Sequence, residues 1–271
     1  GPRCGGGPLL DRRSFLRSMA AFGGAFAFPT FPGVVHAQVR DDSLLVVVEA
    51  SPFHLDVHSS IVSVPTFGVA WNVYDRLLSH EWRKLPNRVL HYDSTKLAPS
   101  LAESWQVASN GMSVTFKLRR DASFHDGAPV TAHDVKYSYD RAVSVGGFPT
   151  FQLKSGSLDK PEQFVVVDDH TFRIDLVRKD KLSLPNLAVP VAMILNSQLM
   201  KSHATKEDPW AMEWLKTNTA GGGPYKVASF QPNRQMVYER FEDWKLGPKP
   251  SVRRVIIRQI PSAGNRRALL E

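Results

Sequence analysis

Residues 97–143 read LAPSLAESWQVASNGMSVTFKLRRDASFHDGAPVTAHDVKYSYDRAV, and the patterns in this stretch decide the fold. After the turn dipeptide Asn110-Gly111, apolar and polar side chains alternate, with Val114, Phe116 and Leu118 on one side. This alternation predicts a half-buried strand. The apolar spacing then changes to the three-to-four-residue period of a helix. A strand that leads into a helix, with further strands on both sides in the sequence, predicts an α/β architecture.

The predicted helix carries its own start signals. Thr131 stands just before it and Asp134 follows three residues later, which resembles a capping box with Asp in place of Glu or Gln. Val130 and Val135 have the spacing of a hydrophobic staple, and Asp126-Gly127 is a turn dipeptide. These two acidic residues therefore have scaffold roles that need no ligand.

The same stretch holds two His-Asp pairs, formed by His125 with Asp126 and by His133 with Asp134, which raise an alternative. These side chains can bind transition metals, so the alternative is a secreted metal-dependent hydrolase or a metal carrier, such as a nickel carrier. A metalloprotease-type helix places two histidines four residues apart with a glutamate between them, whereas a turn separates these two. The scaffold interpretation, with His133 facing solvent, is favoured and predicts a protein that is not an enzyme.

Other catalytic signatures are missing from the sequence. It contains no G-x-S-x-G nucleophile elbow, and its single cysteine, Cys4, lies close to the N-terminus. The glycine-rich stretch AGGGPY, residues 220–225, lacks the Lys-Ser/Thr that follows a phosphate-binding loop. We therefore expect no cofactor.

Charge is spread too evenly for nucleic-acid recognition. The net charge is +8, but the basic residues are scattered, and the densest basic stretch, residues 251–271, has no interleaved aromatic side chains. The hydrophobic content of 42% is that of an ordinary globular protein. We expect no nucleic-acid partner, and we expect a monomer.

The N-terminal 37 residues have the pattern of an export signal. A basic beginning with the pair Arg12-Arg13 precedes an apolar run from Met19 to Val35, and a small-residue cleavage pattern ends at Ala37. The residues around the arginine pair resemble a twin-arginine (Tat) signal. We predict a signal peptide over residues 1–37, cleavage after Ala37, a mature chain over residues 38–271 and a periplasmic location.

Further elements are predicted by local patterns along the mature chain. A continuous apolar run predicts a fully buried strand, paired strand patterns around turn residues predict two hairpins, and a Ser after Pro predicts a helix start. These elements are a buried strand at residues 44–50, a helix at 65–78, hairpins at 164–177 and 225–241, a strand at 252–260, and a helix after Ser262.

Several separated motifs, in order, resemble one protein family. They include residues 101–105 (LAESW), 124–127 (FHDG), 131–135 (TAHDV) and 222–225 (GGPY). Together they resemble the family 5 solute-binding proteins of ABC transporters, which include dipeptide-, oligopeptide- and nickel-binding proteins. The stretch WKLGPKP, residues 244–250, departs from the family's more common Tyr-Trp-Gly-Gly-Lys-Pro.

The resemblance implies a type II periplasmic-binding-protein-like fold, in which two α/β lobes with mixed sheets close on a ligand. It implies that residues 38–271 are the N-terminal part of such a protein, comprising an incomplete first lobe without the second. The implied function is to bind peptides or similar small polar solutes and deliver them to the permease subunits of an ABC importer.

The resemblance also implies where ligand contacts lie. They come from the segment after the first strand, residues 49–54, and from the loop after the helix that follows Thr131, residues 147–151. The glycine-rich crossover is a further candidate for ligand contact. Each candidate also has a structural alternative. Glu49 would simply end a strand in solvent, the two phenylalanines would pack under the loop, and the glycines would permit a tight crossover of the backbone. The residues concerned are Glu49, Ala50, Ser51, Pro52, Phe148, Phe151, Gly221 and Gly222.

Overall fold

A computed structural model describes residues 42–59, 61–86 and 89–270 of the chain. The predicted signal peptide lies outside these residues. These described residues form one compact unit. Its strands are β1 (Ser43–Val48), β2 (Leu78–Lys84), β3 (Leu90–Pro99), β4 (Ala102–Val107), β5 (Ser113–Leu118), β6 (Phe164–Asp168), β7 (Thr171–Asp175), β8 (Tyr225–Gln231), β9 (Gln235–Arg240) and β10 (Arg254–Gln259). Its α-helices are α1 (Val64–Val73), α2 (Ala132–Ser144), α3 (Gly147–Lys154), α4 (Ser197–His203), α5 (Met212–Leu215) and α6 (Ala263–Leu270).

The first sheet has the strand order β1-β10-β9-β8. β1 runs parallel to β10, with Val48 opposite Gln259, and the other pairs are antiparallel. The prediction of a fully buried first strand is wrong, because Leu44 and Leu45 are each 47% exposed. Within the described residues, β1 is an edge strand that pairs only with β10, so its side chains are packed on only part of their surface.

The second sheet, with the order β4-β5-β7-β6, confirms the pattern in the opening stretch. Val114, Phe116 and Leu118 alternate inward on β5 and are buried. They share one core cluster with Val135 and Tyr139 of α2. The apolar side chains that alternate on β5 and those at helical spacing on α2 thus pack against each other in one core.

Helix α1 ends at Val73, five residues before the end of the predicted helix. Tyr74 is extended, although Tyr74 and Leu77 are both buried as the pattern predicts. The early end has a long-range cause, because the carbonyl of Val73 accepts a hydrogen bond from the Gly223 amide at 2.9 Å. The glycine-rich crossover therefore terminates α1.

The remaining predictions from local patterns are confirmed. β6 with β7 and β8 with β9 form the two predicted hairpins, and β10 and α6 follow as expected. The strands β2 and β3 form a third, two-stranded sheet. None of the helices in the described ranges is both long and apolar enough to cross a bilayer.

Candidate functional site

The carboxyl ends of β1 and β10 lie at the same edge of the first sheet, because the two strands are parallel and Val48 faces Gln259. In open α/β sheets, ligands bind outside the carboxyl ends of parallel strands. The chain leaves β1 into residues 49–59, here named the β1–α1 segment, and leaves β10 toward α6. The predicted contact residues Glu49 to Pro52 are therefore at this edge.

Two of these residues hold the chain in place. The amide and the hydroxyl of Ser51 both donate to Oε1 of Gln259, at 3.0 and 2.8 Å. The carbonyl of Pro52 accepts from the Asn233 amide at 3.3 Å, and Ser51 and Pro52 are buried. The backbone of both residues and the Ser51 hydroxyl thus fasten the beginning of the β1–α1 segment to the first sheet.

Glu49 and Ala50, in contrast, are exposed. The carboxylate of Glu49 lies 3.9 Å from the guanidinium of Arg266, and the Glu49 side chain is 77% exposed. Arg266 lies on α6 and is held by the residues just before that helix, because it donates to the carbonyls of Ile260 and Pro261 at 2.7 Å. Exposed ion pairs contribute little to stability, so the Glu49 carboxylate stays available to a ligand.

A cavity of about 450 Å³ is lined in part by Gln259, the residue that also binds Ser51. Its lining is formed by amide and guanidinium side chains, and Nε of Arg258 donates to Oε1 of Gln235 at 3.2 Å. Such groups suit a carboxylate or another polar anion. No sequence pattern indicates this cavity, although the hairpin turn and the strand that supply its lining were both predicted. The lining residues are Gln231, Arg234, Gln235, Arg258 and Gln259.

The middle of the β1–α1 segment is fixed by a buried ion pair. Nη1 and Nη2 of Arg141, on α2, donate to Oδ1 and Oδ2 of Asp56 at 3.0 and 2.7 Å. Both side chains are almost completely inaccessible to solvent. Burial alone would raise the pKa of Asp56, but the charge and hydrogen bonds of Arg141 outweigh burial and lower it. No sequence pattern assigns either residue a role.

His58 completes this buried cluster. Its amide donates to Oδ1 of Asp56 at 2.9 Å, and its Nε2 lies 2.7 Å from the carbonyl of Val191. Burial and the nearby Arg141 lower the pKa of His58 to about 4. The imidazole is therefore neutral at physiological pH and supports the cluster as a hydrogen-bonding group.

The predicted loop after α2 is a helix, α3, which is a correction to the sequence analysis. Gly146 and Gly147 have positive φ angles of 78° and 64°, which turn the chain sharply between the two helices. The ring of Phe148 lies 5.7 Å from that of Phe67 and is 39% exposed, so it packs along one edge. Phe151 is 69% exposed and free to contact a ligand.

Gly221 and Gly222 lie where two backbones cross. A Cβ atom at Gly221 would stand 2.0 Å from the carbonyl oxygen of Val73, and one at Gly222 would stand 2.8 Å from that of Ser123. No side chain fits in either space. This geometry supports the tight-crossover alternative for both glycines.

The first His-Asp pair is part of the scaffold. Nε2 of His125 lies 2.9 Å from the carbonyl of Gly223, and burial lowers the pKa of His125 to about 4. Asp126 accepts hydrogen bonds from the Ala128 amide at 3.0 Å and from Nδ2 of Asn196 at 2.8 Å. Both side chains thus join the turn to neighbouring segments.

In the second His-Asp pair, the aspartate also has a structural role. Oδ2 of Asp134 accepts from the amide and hydroxyl of Thr131 at 2.9 Å, as predicted for the helix start, and its Oδ1 accepts from Ser197. His133 is exposed as predicted and lies 3.6 Å from Asp169. Within the described ranges, no three His, Cys, Asp or Glu side chains come together as metal ligands. The arrangement gives the metal-site alternative no support.

A second cavity, of about 430 Å³, lies between the β2–β3 hairpin and the segment after β9. Asp75 and Arg76 lie in its wall, and the guanidinium of Arg76 is 4.2 Å from the ring centre of Trp71. Nε1 of Trp244 donates to Oδ1 of Asp75 at 3.1 Å, while Oδ2 of Asp75 is buried without a hydrogen-bond partner. Burial raises the pKa of Asp75 to about 7.

The sequence profile described as bacterial extracellular solute-binding proteins, family 5 Middle, matches residues 96–271. The chain belongs to this family. This confirms the resemblance found in the sequence, and the profile match includes the two His-Asp pairs, the glycine-rich crossover and β10.

Relatives of this family 5 chain carry names with different ligands. A probable D,D-dipeptide-binding periplasmic protein of Escherichia coli K12 is 31% identical over 95% of this chain. Heme-binding protein A of Haemophilus influenzae is 30% identical over 68% of it. The matches cover 46% and 36% of these two relatives, so the chain spans less than half the length of either relative.

Solved structures share the fold of this family 5 chain. A periplasmic binding protein from Helicobacter pylori in complex with the peptide STSA has a TM-score of 0.68 at 21% identity. AgaA from Agrobacterium tumefaciens R10, in complex with agropinic acid, has a TM-score of 0.67 at 24% identity. Each covers 84% of this chain, which covers 44% and 42% of theirs. The type II periplasmic-binding-protein fold is thus confirmed over this length.

Proposed function

We propose that the protein is the solute-binding component of an ABC importer, which binds a peptide or a similarly small polar solute and delivers it to the permease subunits in the membrane. The observation that carries this proposal is the edge of the first sheet. There the β1–α1 segment begins at an exposed Glu49, and Gln259, which binds Ser51 of that segment, also lines a cavity together with Arg234 and Arg258. The relatives named for dipeptides and the neighbour solved with a peptide support this ligand class.

The exposed groups suit the two ends of a zwitterionic solute. The carboxylate of Glu49 would receive an amino group, and the guanidinium groups of Arg234 and Arg258 would receive a carboxylate, in charge-assisted hydrogen bonds. Ala50 adds exposed backbone next to Glu49, and Phe151 offers an exposed ring for an apolar side chain. Ser51, Pro52, Gly221 and Gly222 would act indirectly, by holding the chain.

The proposed mechanism is closure of two lobes around the solute. Residues 38–271 would supply one wall of the cleft, and the length of the relatives leaves room for a second lobe. A solute that binds the closed state more tightly than the open state shifts the population toward closure. No bond is made or broken in this mechanism, and no cofactor takes part.

The proposed location is the periplasm. Several relatives are named as periplasmic binding proteins, which supports export. A twin-arginine signal over residues 1–37, cleaved after Ala37, would provide it. N-terminal sequencing of protein recovered from the periplasm tests the cleavage site, and a first residue other than Gln38 would contradict it.

Native mass spectrometry of the full-length mature protein, purified without denaturation, tests the proposed function. We expect an organic mass excess of a few hundred daltons, on the order of a small peptide, that disappears on unfolding. Isothermal titration of the stripped protein with the released compound then gives its affinity. A mass excess that matches a transition metal, with no organic compound, would instead favour the metal carrier and contradict the proposal.

A further inference from the structure

We infer that Arg141 is a positioning residue for ligand binding, which acts by holding the β1–α1 segment through Asp56. The inference deepens the proposed function and rests on it for the ligand. Arg141 lies in the last turn of α2 and is separated from the segment by more than 80 residues of sequence. It reaches the segment only in the folded protein.

All three guanidinium nitrogens of Arg141 and both carboxylate oxygens of Asp56 have hydrogen-bond partners. The guanidinium uses both terminal nitrogens on the two carboxylate oxygens, and its Nε donates to the carbonyl of Trp210 at 3.1 Å. Oδ1 of Asp56 accepts a further hydrogen bond from the His58 amide. A planar guanidinium that bonds at two points fixes both the position and the rotation of the carboxylate.

This ion pair is one of several attachments of the segment. The first is at Ser51, whose amide and hydroxyl both bind Gln259. Between Ser51 and Asp56 lie only four residues, and within them the Leu55 amide donates to the carbonyl of Lys216 at 2.8 Å. The piece of chain next to Glu49 and Ala50 is therefore fastened at both ends and cannot shift without breaking a buried contact.

Stability alone does not explain such a pair. Burying two charges costs solvation energy that their attraction only partly returns, and apolar or neutral replacements of similar size are often as stable. A residue that fixes geometry has a different signature from one that only stabilises. Its replacement loosens the segment and weakens ligand binding even where the free energy of unfolding is preserved.

The test uses the full-length mature protein with Asp56→Asn and Arg141→Gln combined, so that no buried charge is left alone. Hydrogen–deuterium exchange of the amides of residues 50, 51 and 53–55 is measured without ligand; Pro52 has no amide hydrogen. We expect the double variant to exchange these amides about tenfold faster or more, because one attachment is lost. Exchange at the wild-type rate would overturn the inference.

The matched control is Val135→Ala on the same helix, in the core cluster on the second sheet. It destabilises the fold without touching Asp56, so it should leave the exchange of residues 50–55 unchanged relative to their surroundings. Equal acceleration in both variants would mean that general destabilisation explains the effect. If the double variant does not fold, Arg141→Lys keeps the charge, removes the two-point bond and is measured in the same way.

A second measurement links the segment to binding. Isothermal titration with L-alanyl-L-alanine and D-alanyl-D-alanine as probes should show affinity reduced about tenfold or more in the double variant but not in Val135→Ala. An unchanged affinity would contradict the positioning role. If the wild-type protein binds neither probe nor any co-purified solute, the proposed function fails, while the exchange measurement still decides whether Arg141 holds the segment.

Discussion

At the scale of single residues, the edge beside β1 separates side chains that hold the chain from side chains that remain open. Ser51 spends both of its donors on Gln259, whereas Glu49, two residues earlier, has only a long contact with Arg266. Two polar residues that are close in the sequence thus have different roles. Sequence patterns do not separate them, because the partner of each lies more than 200 residues away in the chain.

The Glu49 carboxylate provides the first prediction. Glu49→Gln removes the charge but keeps the shape, so it should weaken binding of an amino-bearing solute by about tenfold or more and leave the thermal midpoint unchanged. Isothermal titration and differential scanning calorimetry measure the two quantities. The control is Glu213→Gln, on α5, which likewise removes an exposed charge; Glu213 pairs with Lys216. Equal affinities for wild type and Glu49→Gln would remove Glu49 from the site.

Asp75 provides a prediction for pH dependence. Burial raises its pKa from 3.8 to about 7, so between these values the folded protein binds a proton that the unfolded chain releases. The stability due to this proton is complete below pH 3.8 and is lost as the pH rises through 7. Asp75→Asn keeps an acceptor for Trp244 and cannot ionise. The variant should therefore gain stability relative to wild type as the pH rises from 4 to 8.

Urea unfolding at several pH values measures this difference. The gain should approach roughly 4 kcal/mol, which corresponds to a shift of about three pKa units. His58 and His125, whose pKa values burial lowers to about 4, titrate in both proteins and cancel in the comparison. Asp243→Asn, at an exposed position, should show no such trend. A difference that stays constant with pH would mean that Asp75 ionises normally.

At the scale of elements, local patterns and long-range contacts contributed differently to what could be predicted. The alternation on β5 and the capping arrangement of Thr131 and Asp134 are local, and both are confirmed. The end of α1 at Val73 was not predictable, because a glycine 150 residues later determines it. The ion pair of Asp56 and Arg141 was not predictable for the same reason, because in the sequence each residue alone looks like an ordinary surface charge.

The close approach of the glycine-rich stretch to α1 predicts opposite effects on stability for alanine substitutions at two glycines. Gly221→Ala should lower the free energy of unfolding by roughly 2–4 kcal/mol, because the new Cβ atom would overlap the carbonyl oxygen of Val73. Gly68→Ala, on α1, has open space around its Cβ position and should raise it by about 0.5–1 kcal/mol through helix propensity. Urea unfolding measures both. Equal effects would contradict the close crossing.

At the scale of the whole molecule, the proposed function predicts a change of shape. Small-angle X-ray scattering of the full-length mature protein should show a smaller radius of gyration when its solute is added at saturating concentration. Glu49→Gln should need a higher solute concentration to reach the same compact state. If the radius is unchanged although titration shows binding, the proposed closure is wrong and binding occurs without it.

The parallel pairing of β1 with β10 also has a consequence for the time course of synthesis. Val48 lies opposite Gln259, so the first strand waits for more than 200 further residues before its partner exists. At ribosomal rates this delay is roughly 10–40 s. The second sheet, from β4 to β7, is complete well before the first. During that interval the apolar side chains and backbone groups of β1 form an unprotected edge, which is a hazard for aggregation. We therefore expect the nascent chain to need chaperone protection of its first strand until β10 has been made.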